Sequence, residues 1–276
     1  MSDRLAALLR HFNVAARTFQ TGPLCGINTL DATPGLGQLH LIREGEVTVH
    51  HQLTTLHIDR PSLLMYPRPL THRFVTDARR GADFLCAQVA FEGGEAHPIA
   101  TALPDVVCLA LDQLPSCATL LSLLFAEAEA RHCGRQAALD RLFELVLIQV
   151  LRELMAQGHV KSGMMAGLSD ERLRRAIVAM HDQPEQPWSL ESLAAQAGMS
   201  RTAFATTFRE TVGCTPGTYL QRWRIGLAQK LLRDGRALKL AAVEVGYGSE
   251  AALSRAFTAQ MGMSPRAWRQ SQQTVA

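Results

Sequence analysis

The sequence predicts an α+β chain of two domains, a β-rich N-terminal half closed by a helical pair and an all-α C-terminal part. Three observations carry that prediction. The hydrophobic period lengthens from two residues to the helical 3.6 beyond about residue 110, one helical unit is written twice near the C-terminus, and charge divides unevenly between the halves. Residues 169–276 hold 14 Arg and Lys against 9 Asp and Glu, whereas residues 1–168 hold 14 against 16. A basic C-terminal part suits a polyanionic partner, although a solvated basic face would give the same count. The boundaries read from the sequence are an N-terminal domain over 1–157, a linker over 158–168 and a C-terminal helical domain over 169–276.

A chain of 276 residues with 47% apolar and 19% charged residues is long enough for two cores and has ordinary globular composition. No apolar run approaches the roughly 20 residues that span a bilayer, and the start at Met1 lacks a signal-peptide layout, so a cytoplasmic protein without membrane contact is expected. Six cysteines without paired spacing argue against a disulfide scaffold and against a zinc knuckle.

A short helix is predicted around Asp3 to Phe12. Alternation over Leu39 to Arg43, Val47 to His50 and Leu53 to Ile58, punctuated by Gly45, Pro61, Pro67 and Pro69, predicts short antiparallel strands of a small barrel or sandwich. Two helices follow, over Ser116 to Ala130 and Gln136 to Gln157. The second is apolar on more than one side, which predicts packing on the barrel and against a second subunit. Gly158 to Gly167, rich in Gly, Ser and Met, reads as the linker.

The duplicated unit runs from Leu190 to Phe208 and again from Leu240 to Phe257. In each copy a short apolar-striped helix ends at a glycine, Gly198 or Gly246, a Ser follows, and a second amphipathic helix begins. Ala194 and Ala242 each lie four residues before that glycine, where a small side chain lets two helices cross closely. This is a helix-turn-helix pattern in duplicate. Between the copies, Pro216 to Arg233 predicts one helix of roughly 18 residues, about 27 Å long. Such a rod can hold two reading helices about one duplex turn apart.

These residues resemble the DNA-binding domain of AraC-type transcription regulators over about the last 108 residues. The resemblance is carried by Trp188 to Ala194, Phe204 and Phe208, Thr215-Pro216, Arg222 to Arg224, Val245 to Tyr247, Ser254 to Phe257 and Gly262 to Pro265. It implies that the exposed face of each second helix enters the major groove. Carried over by position, the first unit offers Arg201, Thr202, Ala205, Thr206 and Arg209, and the second Glu250, Ala251, Ser254 and Arg255. Arg255 is the expected base reader, since a guanidinium donates two bonds to guanine, with Glu250 reading cytosine or balancing Arg255. Ala205 and Thr206 are small and suit a thymine methyl, and Arg201 and Arg209 suit phosphates. Phe204, Phe208, Leu193, Leu253, Phe257 and Trp223 are expected in the core.

The N-terminal part resembles the cupin barrel that many such regulators carry, through Leu39 to Val47 and Met65 to Phe74. Pro67 and His72 match the second cupin motif, while Pro69 replaces its usual Gly. Anchoring the first motif on Gly45 places Gln38 at the carboxylate position and finds no His-x-His upstream. The usual metal and its four ligands are therefore not expected, and no cofactor is implied; His72 with His40 is the nearest approach to a ligand set. Cys25 and Cys86 are similar in placement to two cysteines of the reactive-chlorine-sensing subgroup, where they can form a disulfide. Packing roles and small-ligand sensing stay open for them.

A sequence-specific transcription regulator answering an oxidant or small-molecule effector is the reading that results, with double-stranded DNA as partner, a homodimer as expected state and RNA polymerase as a further partner. A cupin metal enzyme with a helical appendage is opposed by the missing His-x-His, and an alkyl-transfer repair sensor by the missing cysteine cluster.

Overall fold

In the computed structural model, which describes residues 3–92, 97–156 and 162–273, the chain divides into two compact units. One is Asn13–Gln157; the other joins Met1–Phe12 to Gly158–Ala276. The first unit is a pair of antiparallel sheets. β1 (Val14–Leu24), β8 (Ala82–Phe91), β3 (Leu36–Glu44), β6 (Ser62–Tyr66) and β9 (Val107–Ala110) form one sheet in that order, and β2 (Ile27–Leu30), β7 (His72–Val75), β4 (Val47–His51) and β5 (Thr54–Ile58) the other. The alternation read in the sequence is visible in β4, where Val47, Val49 and His51 point inward and Thr48 and His50 outward. Ile42, Val47, Val49, Ile58, Leu64, Tyr66, Phe74 and Phe84 come from both sheets and fill the interior.

After a short helix α2 (Pro98–Ala102), helices α3 (Ala118–Glu129) and α4 (Arg135–Ala156) close this unit. α4 packs along β1 and α3, burying Leu139, Phe143, Val146, Val150 and Leu151. Two of its acidic side chains also serve the sheet: the β1 amide of Thr18 donates to Asp140 at 2.7 Å and that of Ala16 to Glu144 at 3.3 Å. Most of the apolar surface that made α4 look two-sided is thus covered within its own unit. Leu145, and Leu123 on α3, remain exposed.

The second unit is helical: α1 (Ala6–His11), α5 (Met164–Ser169), α6 (Leu173–Asp182), α7 (Leu190–Ala197), α8 (Arg201–Val212), α9 (Pro216–Arg233), α10 (Leu238–Glu244), α11 (Glu250–Met261) and α12 (Pro265–Gln273). Two features differ from the sequence reading. The initial helix, read as part of the sensor domain, clusters with the helical unit: the Phe12 ring meets Trp223 edge-on at 5.1 Å and lies over Gly226, where a Cβ would come within 3.3 Å of it. Arg10 adds an ion pair to Asp182 at 3.9 Å. Of the stretch read as linker, residues 158–161 lie outside the described residues, and Met164–Ser169 is the helix α5. Its Met165 and Leu168 are fully buried, because a Met-Met-x-x-Leu spacing is itself an apolar helical stripe.

A fully buried imidazole sits in the middle of this unit. His181 of α6 stacks on Trp223 with 3.8 Å between ring centroids and shares a 2.7 Å hydrogen bond with the Tyr219 hydroxyl. Burial holds its pKa down to about 3, so it is neutral.

Candidate nucleic-acid interface

The two repeats close their turns in the same way. The amide of Met199 donates to the Ala194 carbonyl at 2.9 Å and that of Gly198 to Ala195 at 3.0 Å; Tyr247 donates to Ala242 at 2.8 Å and Gly246 to Val243 at 3.0 Å. This paired pattern needs a left-handed residue, and Gly198 and Gly246 supply it with φ of 65° and 81°. One residue more follows the second glycine before the next helix. In both copies a serine then caps that helix, Ser200 accepting from the Ala203 amide at 3.3 Å and Ser249 from Ala252 at 3.1 Å.

Helical spacing sorts α8 and α11 into an inner and an outer face. Phe204, Phe208, Leu253 and Phe257 are fully buried, and Leu193 and Trp223 join them in the core, as expected. On the outer face of α8, Arg201, Thr202, Thr206 and Arg209 are exposed and Ala205 is half-buried; on α11, Glu250, Ala251 and Arg255 are exposed and Ser254 half-buried. At 100° per residue each set spans about 140° of its helix, the width of one groove-facing stripe.

Three features of these faces were not legible in the sequence. Arg201 forms an ion pair with Glu191 of α7 at 3.0 Å, both side chains being about two-thirds exposed. Such a pair is worth less than about 1 kcal/mol and gives way easily to a phosphate. Arg209 and Arg255 form no ion pair with a described residue, so Glu250 does not balance Arg255 in this structure. Arg224, on the inner side of α9, ties the copies together. Its guanidinium donates to the carbonyls of Pro184 at 2.6 Å and Gln186 at 2.8 Å, ahead of α7, and lies over the Tyr247 ring of the second turn at 5.9 Å. A Cβ on Gly246 would fall 2.7 Å from the Glu185 Cα. The second turn is therefore seated directly on the loop that precedes the first unit. The motif around Arg222 to Arg224 was visible in the sequence; the bracket was not, because it joins residues about forty positions apart.

In the N-terminal unit, the sequence-flagged residues fall into separate places. His72 donates through Nδ1 to the Leu70 carbonyl at 2.9 Å, which turns its Nε2 lone pair toward Nε2 of His40 at 3.0 Å. Both rings are buried and neutral; desolvation holds His72 down to about 4 and His40 well below its ordinary value. Gln38 donates to the Asp31 carbonyl at 3.1 Å, while its Oε1 has no partner among the described residues. Two imidazoles and an amide do not make the three imidazoles and carboxylate of a cupin metal site. Among the described residues no three His, Cys, Asp or Glu side chains gather as a metal-holding group.

Cys25 and Cys86 lie apart. β1 and β8 pair with Leu24 opposite Ala82 and Gln20 opposite Cys86. The thiol of Cys25 instead lies beside Gly81, 2.7 Å from where that residue's Cβ would stand. Gly81 immediately precedes β8, whose extended stretch from Ala82 to Cys86 alone spans about 13 Å at 3.3 Å per residue, against the roughly 7 Å limit between Cα atoms for a disulfide. Cys25 is exposed, whereas Cys86 is fully buried and its thiol is pushed well above the usual range by desolvation.

Two antiparallel sheets joined to a duplicated, serine-capped helix-turn-helix body suit a DNA-binding regulator with an N-terminal sensing domain. The family model described as Cupin matches residues 3–156, and one described as a helix-turn-helix domain matches residues 193–271. The chain belongs to the cupin family and, with its C-terminal part, to the AraC-type transcription regulators. It is 29% identical over 259 residues to an uncharacterized HTH-type transcriptional regulator of Haemophilus influenzae, covering 86% of this chain and 87% of that one. It is 26% identical to the RCS-specific HTH-type transcriptional activator RclR of Escherichia coli, over 86% of this chain and 87% of the relative. Over 138 residues it is 40% identical to the HTH-type transcriptional regulator AlkR of Acinetobacter baylyi, covering 50% of this chain and 45% of the relative. These relatives carry regulator names, and the chain's role is regulatory rather than enzymatic. None of the described helices is long and apolar enough to cross a membrane.

Proposed function

We propose that this chain is a cytoplasmic, sequence-specific regulator that reads two successive major grooves with α8 and α11 and is governed by a chemical signal received in the N-terminal unit. The observation that carries this reading is the pair of outer faces bearing Arg201, Thr202, Ala205, Thr206 and Arg209, and Glu250, Ala251, Ser254 and Arg255, held by one 18-residue helix. That helix is about 27 Å long, close to the 34 Å repeat of a duplex once the width of the reading helices is added. The exposed Leu123 and Leu145 favour a homodimer through α3 and α4, and RNA polymerase is the further partner that such a regulator engages. Selection from randomised duplexes by the purified chain is expected to enrich a site with two recognition segments about 10 base pairs apart, bound with a steep salt dependence. Absence of enrichment, or affinity indifferent to salt, overturns the proposal.

Signal chemistry has two versions. Small-ligand sensing is favoured by the distance between Cys25 and Cys86 and by the burial of the Cys86 thiol. Redox sensing is favoured by the likeness to the RCS-specific activator. A Cys25 to Cys86 bond requires the end of β1 to leave β8, so it would report a rearranged strand and not a simple closure. Mass spectrometry after hypochlorite decides: a Cys25–Cys86 crosslink supports the redox version, and its absence with DNA binding unchanged removes it.

A further inference from the structure

The first repeat carries a concavity that shares Ala205, Thr206 and Arg209 with the face assigned to DNA. A cavity of about 420 Å³ opens between α7, α8 and the start of α9. Its floor is apolar, made by Leu190, Leu193, Leu220 and Pro216, with Trp188 along one side. It exists because the α8 positions above it carry the small Ala205 and Thr206, and because Gly217 has no side chain: a Cβ there would meet no atom within 4 Å. Arg209 is the single charged residue of the lining and has no ion-pair partner among the described residues. The positive end of the α9 macrodipole, at Thr215 to Gly217, lies on the same wall.

An apolar cavity of this size with one convergent cationic group fits an amphipathic anion better than a neutral or dianionic ligand. We propose that this cavity binds a small apolar monocarboxylate, its hydrocarbon body on Leu193 and Leu220 and its carboxylate on the Arg209 guanidinium. Because Ala205, Thr206 and Arg209 belong to the outer face of α8, the bound acid and DNA exclude one another. The exclusion rests on the reading of α8 as a DNA-reading helix; acid binding does not.

Calorimetry with the full chain, octanoate as probe and octanol as its uncharged counterpart tests the site. Octanoate is expected to bind saturably in the absence of DNA. Gly217→Leu, which fills the cavity from α9, and Ala205→Phe, which fills it from α8, should each weaken that binding at least tenfold, and cooperative melting of either variant shows that it folds. Arg209→Gln should weaken octanoate about tenfold or more and leave octanol unchanged, as loss of a charge-assisted bond dictates. No saturable binding to the unmodified chain, or full binding by both filled variants, overturns the site. Octanoate that binds but fails to displace a duplex the chain demonstrably holds overturns the exclusion. A chain that binds octanoate yet enriches no duplex sinks the DNA reading and leaves the cavity site standing.

Discussion

The two helix-turn-helix copies share a frame and differ in how that frame is held. In the first, the turn is locally determined: α7 begins with a capping box between Ser189 and Ser192, and the nearest atom to a Cβ on Gly198 would be a flexible Arg175 nitrogen at 3.9 Å. In the second, α10 is preceded by Ala237, which has no side-chain cap to offer, and Gly246 is pressed against the Glu185 backbone and the Arg224 guanidinium. The start and turn of the first copy are set by local signals. The second takes its position from the loop preceding the first. The difference teaches that a repeated pattern does not imply repeated energetics; equal turns can rest on a local cap in one place and on a long-range contact in another.

Alanine at the two turn glycines gives the largest expected contrast. Gly198→Ala should cost about 1 to 2 kcal/mol, the price of a left-handed alanine. Gly246→Ala meets the same strain plus a backbone overlap and should cost about 3 kcal/mol or more. Chemical denaturation followed by tryptophan fluorescence measures both, since Trp188, Trp223 and Trp268 all lie in the helical unit. Equal losses would break the comparison.

Acid should expose what lies beneath the first copy. His181 is neutral when buried, with a pKa near 3, and titrates near 6.5 when unfolded. As pH falls below 6.5 the unfolded chain takes up a proton that the folded one refuses, so stability is complete above pH 6.5 and is lost toward pH 3. About 3 kcal/mol should disappear between pH 6.5 and 4. His181→Phe, which keeps the stack on Trp223, should flatten that slope in the tryptophan signal; an unchanged slope assigns the acid sensitivity elsewhere.

Arg224→Ala should uncouple the copies. It frees two carbonyls and the seat of Tyr247, and we expect about 2 kcal/mol of lost affinity for a duplex bearing both recognition segments, with little change for one bearing a single segment. Equal losses on both duplexes would mean that Arg224 supports folding generally. At the smallest scale, Arg255→Ala should cost roughly 1 to 3 kcal/mol on the selected site and relax preference at one base pair, whereas Thr206→Ala, at the corresponding place in the first copy, should cost less than about 1 kcal/mol. If Arg255→Ala weakens all sequences equally, the guanidinium holds a phosphate.

What the sequence determined by itself was whatever depends on neighbours a few positions away. The glycine at each turn, the serine caps, the Phe204 and Phe208 stripe, the proline opening α9 and the alternation of β4 all act through the local backbone, and all are legible as spacing. Tertiary structure decided the rest, because its causes lie far apart along the chain. Only folding brings Phe12 onto Gly226 and Trp223, sets Arg224 between Pro184 and Tyr247, turns His72 toward His40, and leaves Cys25 five register positions from Cys86. In each case pairing register or close packing chose the partner, and neither is written in the residues adjacent to the site.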